Sequence, residues 1–274
     1  MASINFRERE IICKIVYYGP RLSGKTTNLQ SIHNRMPDNR RGSLTSIATN
    51  QDRTIFFDLL PLDVGSINDF TVKLQLFTVP GQVYYNATRK IVLKGVDGVV
   101  FVADSQRGKM YENMESLENL KDNLEENGID SATVPVVLQY NKRDLNPVYS
   151  IDEMNESLNQ QGLSFYESVA SSGNGVFNTL KGITTLVMND VRKKILEGKS
   201  DQVVEKEAPV DKGAADRVAQ PATSPEAEPA AAPAAVADKP AADKAADDRS
   251  DKRNGSPGIW HKFLTFIGLK SAKR

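Results

Sequence analysis

One short run near the start of the chain, residues 19–26, constrains the fold more than any other part of the sequence. It has the letters GPRLSGKT and fits the pattern G-x-x-x-x-G-K-[ST] without a gap. The residues before it, Glu10–Tyr18, predict a strand, and residues 26–35 predict a helix. A glycine-rich loop between a strand and a helix presents backbone N–H groups to an anion. The spacing therefore predicts a phosphate-binding loop in an α/β protein.

This loop supplies most of the expected phosphate contacts. Lys25 has the length to reach the outer phosphates of a nucleotide, and the Thr26 hydroxyl is of the kind that ligates Mg²⁺. A glycine turn followed by a chance Lys-Thr pair is the alternative, and the flanking strand and helix argue against it. The other residues expected to contact the phosphates lie in the loop or the first helical turn: Gly19, Arg21, Ser23, Gly24 and Thr27.

Downstream of the loop, strand-like and helix-like segments alternate. Strands are predicted at 54–60, 70–79, 98–103, 134–140 and 164–169, with the first two forming a hairpin around a turn at 61–69. Helices are predicted at 111–127, 151–160 and Val176–Leu196. This alternation predicts a three-layer α/β sandwich of the P-loop NTPase type, in which helices cover both faces of a mostly parallel sheet. Ligands on such sheets bind at the carboxyl ends of the strands.

Two further motifs follow predicted strands. Gly81 and Gln82 end the run TVPGQ, where a glycine N–H can meet a γ-phosphate and a glutamine can orient an attacking water. Taken alone this motif is a common Pro-Gly turn. The run NKRD places Asn141, Lys142 and Asp144 after the strand at 134–140.

The NKRD run has the chemistry to select guanine. The Asp144 carboxylate can accept hydrogen bonds from N1–H and the 2-amino group of guanine, and adenine offers neither donor. The aliphatic part of Lys142 can lie along the base, and Asn141 can bridge the base and the phosphate loop. At the end of the last strand, Val169 and Ala170 form a fourth contact, with the Ala170 N–H directed at guanine O6.

Composition excludes several classes of protein. Lys plus Arg and Asp plus Glu both number 35, so the net charge is zero and no nucleic-acid partner is expected. The single cysteine, Cys13, excludes a disulfide framework. There is no apolar run of about 18 residues and no signal-peptide pattern at 1–10, so we expect a cytoplasmic protein.

The chain divides into three unlike parts. Residues 1–198 carry the alternating pattern and are predicted to form one nucleotide-binding domain. Residues 199–255 are predicted to be a disordered linker, because 208–248 contains six prolines and no Leu, Ile, Phe, Tyr or Trp. Residues 256–274 form a basic amphipathic segment, called the C-terminal segment below.

The C-terminal segment has the pattern of a short helix. Ser256 suits an N-cap, Pro257 the first helical position and Gly268 a C-terminal stop. The apolar side chains that fall on one helical face are Ile259, Trp260, Phe263, Leu264 and Ile267. Three interpretations stay open: an interfacial anchor on an anionic membrane, a helix that docks on a partner or on the nucleotide-binding domain itself, and an unstructured tail.

Together these motifs resemble those of the Ras-like small GTPases, and more closely those of the bacterial gliding-motility, MglA-type subfamily. The resemblance covers about residues 8–196 and rests on KIVYYGP, DRTIFFDLLP, TVPGQVYY, ATRKIVLKGVDGVVFVADSQ and YNKRDL. It implies a Ras-like G domain that binds GTP or GDP with Mg²⁺ and acts as a polarity switch, active with GTP. We expect the protein at a cell pole or, through residues 256–274, at a membrane. The resemblance further implies a Roadblock-type activating protein and polarity or motility effectors as partners.

The resemblance also assigns roles to particular residues. Arg53 would be an arginine finger supplied in cis, Thr54 the Mg²⁺-sensing threonine of the first switch, and Gln82 the residue that positions water. Thr78 stands where most small GTPases have Asp, a difference that the MglA-type subfamily shares.

Arg21 departs from the family pattern, which has glycine at this position. Three outcomes stay open: Arg21 slows GTP hydrolysis by crowding the γ-phosphate and Gln82, it acts partly as a finger itself, or it weakens nucleotide binding.

Three functions are consistent with these observations. We expect a guanine-nucleotide switch with GTP hydrolysis slowed by Arg21, in which loops at 40–54 and 82–89 are ordered by the γ-phosphate and Mg²⁺. The alternative is a hydrolysis-deficient or nucleotide-independent scaffold that recruits polarity proteins. An ATP-using P-loop kinase is the third, and the guanine-selecting NKRD run argues against it.

Overall fold

The computed structural model describes residues 2–48, 56–67, 69–82 and 85–196. Arg53 and Thr54 lie outside the described residues, and so do the predicted linker and the C-terminal segment.

Eight strands form one mixed sheet. They are Ser3–Asn5 (β1), Glu10–Tyr18 (β2), Thr45–Ala48 (β3), Phe56–Ile67 (β4), Phe70–Thr78 (β5), Gly98–Asp104 (β6), Val136–Asn141 (β7) and Phe165–Glu167 (β8). The strand order is β3-β4-β5-β2-β6-β7-β8, and β1 pairs with β2. Of the seven strand pairs among the described residues, β2–β5, β2–β6, β6–β7 and β7–β8 are parallel. The carboxyl ends of these parallel strands therefore meet at one edge of the sheet.

Five helices cover the two faces of this sheet. They are Lys25–Arg35 (α1), Asn86–Leu93 (α2), Met110–Glu126 (α3), Ile151–Leu158 (α4) and Val176–Leu196 (α5). Successive side chains of β2 point to opposite faces, so Ile15 and Tyr17 pack in the core with α1 and α5. Val16 and Tyr18 pack in the second core with α2, α3 and α4. The predicted three-layer α/β sandwich is confirmed.

The predicted hairpin turn at 61–69 is wrong. β4 continues through Pro61 to Ile67, and the hairpin reverses only before Phe70. The Pro61 carbonyl accepts a hydrogen bond from Gly42 N (2.9 Å), so its nitrogen also faces away from β5. Proline therefore removes no hydrogen bond from the β4–β5 ladder. Gly65, with φ of 107°, is absorbed in a bulge rather than in a turn.

The two expected switch loops also contain regular structure. β3 lies within 40–54, and α2 begins at Asn86, within 82–89. α2 forms because Val92 and Leu93 bury their side chains in the core, while Ile91 stays 69% exposed. β1 and a short 3-10 helix, Asp38–Arg40, were not predicted, and the remaining differences are shifts of one or two residues at element ends. Among the described residues, no helix has the length and apolar character that a membrane crossing requires.

Candidate functional site

The phosphate loop runs from the end of β2 to the start of α1, and two glycines fix its path. Gly19 and Gly24 have φ of 142° and 104°, a backbone region that side chains rarely adopt. A Cβ on Gly19 would lie 2.2 Å from the carbonyl oxygen of Val102, in β6. A Cβ on Gly24 would lie 2.2 Å from Nδ2 of Asn141, at the end of β7. Both glycines therefore allow the loop to lie directly against the neighbouring strands.

Lys25 points its ammonium group back into this loop. Its Nζ donates to the carbonyl oxygens of Gly19 (2.9 Å) and Pro20 (2.6 Å). Burial, with a smaller contribution from the positive charge of Arg89, lowers the pKa of Lys25 to about 7. The Ser23 hydroxyl is fully buried and has no hydrogen-bond partner among the described residues. A buried ammonium, an unpaired hydroxyl and the free N–H groups at the start of α1 fit a nucleotide phosphate.

Asp58, which no sequence motif predicted, lies at the predicted metal position. The Thr26 Oγ1 donates to Asp58 Oδ2 (2.7 Å), and Thr78 Oγ1 donates to the same oxygen (2.9 Å). Ser46 Oγ donates to the other carboxylate oxygen (2.6 Å). Asp58 comes from β4, whereas Thr78 ends the neighbouring strand β5. A carboxylate and a threonine hydroxyl in contact are oxygen ligands that suit Mg²⁺.

A signal for Asp58 was present in the sequence. Asp58 interrupts an apolar strand, IFFDLL, and it is only 7% exposed. A buried carboxylate requires a hydrogen-bonding partner or a metal ion, so an Asp inside an apolar strand is a sequence signal for a residue of the site.

Gly81 lies on the backbone of the phosphate loop. A Cβ on Gly81 would lie 2.5 Å from the nitrogen of Arg21 and 2.6 Å from its Cα. The structure thus brings Arg21 next to the residue that precedes Gln82. The Gln82 carbonyl accepts a hydrogen bond from Tyr85 N (3.2 Å) just before α2. Arg21 is exposed, and Gln82 is half-buried.

Asn141 connects the predicted base-binding residues to the phosphate loop. Its Nδ2 donates to the carbonyl of Ser23 (2.8 Å). Its Oδ1 accepts from the N–H of Ala170 (2.9 Å) and from the Ser168 hydroxyl (3.0 Å). The Ala170 N–H, which the sequence analysis directs at guanine O6, is therefore held beside Asn141 in this structure. Val169 lies next to it and donates its N–H to the Asn174 carbonyl (3.0 Å).

Lys142 is placed by two residues that the sequence analysis did not single out. It has φ of 65°, and its Nζ donates to Oδ2 of Asp104 (2.7 Å) at the end of β6. The backbone of Asp104 is held on both sides by the Asn113 side chain, at 2.9 Å and 2.8 Å. The next acidic residue, Asp144, is exposed beside this ion pair. An exposed carboxylate here is accessible to a purine.

The structure therefore brings the described candidates together at one edge of the sheet. The phosphate loop, Thr27 in the first turn of α1, and Gly81 form one end. Asn141, Lys142 and Ala170 form the other. Among the described residues, no cluster of three His, Cys, Asp or Glu side chains could hold a metal ion by itself.

The site joins a phosphate-binding loop to the predicted guanine-selecting NKRD run at one edge of the mixed sheet. This arrangement is typical of nucleotide-binding proteins of the Ras type. The chain belongs to the Ras family, whose pattern matches residues 44–189. It is 54% identical over 193 residues to the mutual gliding-motility protein MglA of Myxococcus xanthus (strain DK1622), covering 70% of this chain and 99% of that protein. Within the family it is therefore a Ras-like small GTPase of the MglA type.

More distant relatives are plant proteins of the same family. The Ras-related protein RABA4b of Arabidopsis thaliana is 27% identical over 139 residues, which covers 50% of this chain and 59% of that protein. The Ras-related protein RABA2b of the same plant is 30% identical over 129 residues, or 46% and 58% of the two chains. The chain thus spans less than two thirds of the length of these two relatives.

Proposed function

We propose that the chain is a guanine-nucleotide switch that acts in cell polarity or surface motility through effector proteins. The observation that carries this proposal is the hydrogen bond from Asn141 to the phosphate loop, because it joins phosphate and base recognition in one site. Asp144 would select guanine, with Lys142 along the base and with Val169 and Ala170 at its O6 edge. The name of the Myxococcus relative supports a role in gliding motility.

The phosphates would be held by the loop and by Lys25. Gly19, Ser23 and Gly24 allow close approach of the backbone, and Thr27 adds an N–H at the start of α1. Thr26 and Thr54 would hold Mg²⁺, with Asp58 as a further oxygen ligand directly or through water. Mg²⁺ held by these residues would supply positive charge beside the phosphates of the nucleotide.

Hydrolysis would depend on Gln82, which orients water, and on Arg53, which supplies positive charge in cis. Arg21 would slow this reaction, since its backbone lies against Gly81, the residue that precedes Gln82. An activating protein of the Roadblock type would act on this same region. Residues 1–198 would form the G domain, joined by the linker 199–255 to the C-terminal segment.

The test is single-turnover GTP cleavage by the full chain and two Arg21 variants. If Arg21 obstructs the site, Arg21→Gly cleaves GTP faster, whereas Arg21→Lys, which keeps bulk and charge, stays slow. If Arg21 acts as a finger, Arg21→Gly is slower than the unsubstituted chain. Equal rates for all three proteins would show that Arg21 has no part in hydrolysis.

A nucleotide-independent scaffold is the second candidate, because an arginine in the phosphate loop could weaken nucleotide binding. The nucleotide content of the purified chain separates these functions. Bound GDP supports a working switch, bound GTP supports a switch with slow hydrolysis, and no nucleotide supports a scaffold.

A further inference from the structure

An apolar groove opens between α3 and α4, away from the nucleotide site. It encloses about 410 Å³. The leucines that form its floor are Leu117, Leu120, Leu124, Leu158 and Leu163, and Met114 at its border is 48% exposed. An apolar groove of this kind suits the apolar face of an amphipathic helix.

The border of this groove is acidic. α3 carries six acidic residues and one lysine. Lys109 and Lys90 pair with Glu112 and Glu126 at the ends of the helix. Glu118, Asp122 and Glu125 line the groove together with one basic residue, Lys121, so acidic side chains outnumber basic ones there. The three acidic side chains form no ion pair with any described residue. The groove therefore favours an occupant that is both apolar and basic.

The C-terminal segment has this composition. Its predicted helix carries Trp260, Phe263 and three aliphatic side chains on one face. The segment contains three Lys, one Arg and no Asp or Glu, so it complements the acidic border.

The connecting chain is long enough to reach the groove. Residues 197–255 separate α5 from the C-terminal segment. A flexible chain of this length spans roughly 40 Å on average. A domain of the size of residues 1–196 has a diameter of roughly 40 Å. An intramolecular contact also begins from a high effective concentration, which a separate partner lacks.

We propose that the C-terminal segment, 256–274, docks in the α3–α4 groove of its own chain. The face with Trp260 and Phe263 packs on the leucine floor, and the lysines around it face Glu118, Asp122 and Glu125. The same apolar face cannot contact a membrane or a partner while it is docked. Docking would therefore prevent the segment from binding a membrane or a partner until one of these competes successfully for its apolar face.

Trp260 is the only tryptophan of the chain, so its fluorescence reports on this segment in the intact protein. In the dilute full chain we expect emission at a shorter wavelength than that of tryptophan in water, and protection from acrylamide quenching. Both should be independent of protein concentration. Both should weaken with added salt, because exposed charge pairs are screened.

Variants on both sides of the contact locate it. Glu118→Lys and Glu125→Lys should each lower the ratio of docked to free segment by up to about fivefold, and the double variant further. Glu8→Lys, which reverses an exposed charge before β2, is the matched control and should change nothing. Phe263→Asp alters the segment and leaves the groove intact, and it should expose Trp260 while the domain stays folded.

Each other outcome overturns the proposal. Exposed Trp260 in the dilute full chain excludes docking. Protection that grows with protein concentration indicates a second copy. Protection that appears only with phosphatidylserine-containing vesicles indicates a membrane anchor. Protection that is unaffected by Glu118→Lys and Glu125→Lys places the segment on another surface.

Discussion

The hydroxyl of Thr26 donates a 2.7 Å hydrogen bond to the carboxylate of Asp58. Thr26 belongs to the phosphate loop, and Asp58 lies near the start of β4, so the contact joins the loop to the antiparallel part of the sheet. Thr78, the residue found where most small GTPases have Asp, donates to the same carboxylate oxygen (2.9 Å). Asp58 on β4 thus places a carboxylate next to the position at which β5 supplies only the hydroxyl of Thr78.

Asp58→Asn should lower the affinity of the site for Mg²⁺ and for nucleotide. The substitution keeps the size of the side chain and removes its charge, so we expect GDP to dissociate about 10- to 100-fold faster at limiting Mg²⁺. Release of a fluorescent GDP at several Mg²⁺ concentrations measures this. Ser46→Ala is the matched control, because it removes one hydrogen bond to the carboxylate and leaves the charge. Equal release from Asp58→Asn and the unsubstituted chain would remove Asp58 from the metal site.

Asp58 shows why part of the site could not be predicted from motif spacing. The phosphate loop and the NKRD run are contiguous, so local sequence specifies them together with their strand and helix neighbours. Asp58 meets Thr26 only through the pairing of β4 with β5 and of β5 with β2. The proximity of Asp58 and Thr26 depends on the order of the strands in the sheet, which a single sequence does not specify. The same holds for Asp104, which meets Lys142 across neighbouring strands.

Gly81→Ala should lower the preference of the site for GTP over GDP. The added Cβ would lie 2.5 Å from the Arg21 nitrogen, so the backbone at residue 81 must shift. A Gly81 N–H that meets the γ-phosphate would then lose its position, and GDP has no such phosphate. We expect the ratio of affinities for a non-hydrolysable GTP analogue and GDP to fall by about tenfold or more.

Gly108→Ala provides the control for this substitution. Gly108 has positive φ (87°), unlike Gly81, and a Cβ there would meet nothing within 4 Å. It should cost some stability and leave the affinity ratio unchanged. An equal fall in GTP and GDP affinity for Gly81→Ala would contradict a γ-phosphate contact at this residue.

Gln139→Leu should destabilise the fold through a buried polar network. Gln139 exchanges hydrogen bonds with Asn28 (2.7 and 3.0 Å) and donates to Thr179 (2.9 Å), and all three side chains are fully buried. Leucine leaves the buried Asn28 Oδ1 without a donor, whereas Asn28 Nδ2 still donates to Gly24 O (2.9 Å) and Thr179 Oγ1 to Gly175 O (3.0 Å). We therefore expect the free energy of unfolding to fall by about 1–3 kcal/mol in chemical denaturation. Gln30→Leu, on the exposed side of α1, should change it by less than about 0.5 kcal/mol. A comparably small effect of Gln139→Leu would mean that the network relaxes without cost.

The fold itself was largely predictable, because strong periodicity gave the type and order of most elements. The errors occurred where tertiary contacts override local signals. Pro61 and Gly65 favour a turn, yet both lie within β4, since the Pro61 nitrogen faces away from β5 and a bulge accommodates Gly65. α2 is only eight residues long and was missed because its stability comes from burial of Val92 and Leu93.

Asp144→Asn should move base preference from guanine to xanthine. The carboxylate offers two acceptors to the N1–H and 2-amino group of guanine, whereas the amide offers one acceptor and one donor. Xanthine has a carbonyl in place of the 2-amino group and therefore matches the amide. We expect GDP affinity to fall by about 100-fold or more while xanthosine diphosphate affinity rises. Competition binding measures both, with Asp152→Asn, an exposed residue of α4, as the control. Unchanged preference would show that Asp144 does not contact the base.

Nucleotide affinity should depend on the protonation of Lys25. In the nucleotide-free protein burial lowers the pKa of Lys25 to about 7, so half of the ammonium groups are neutral at that pH. A bound phosphate favours the charged form and raises this pKa, so binding takes up a proton above pH 7. Affinity for GDP should therefore fall by about fivefold as pH rises from 7 to 8, because a smaller fraction of the protein has a charged Lys25. Calorimetry in two buffers of different ionisation enthalpy should show proton uptake over the same range. Lys25→Arg keeps its charge at all these pH values, so its weaker binding should be independent of pH. A pH dependence that persists in Lys25→Arg would assign the titration to another group.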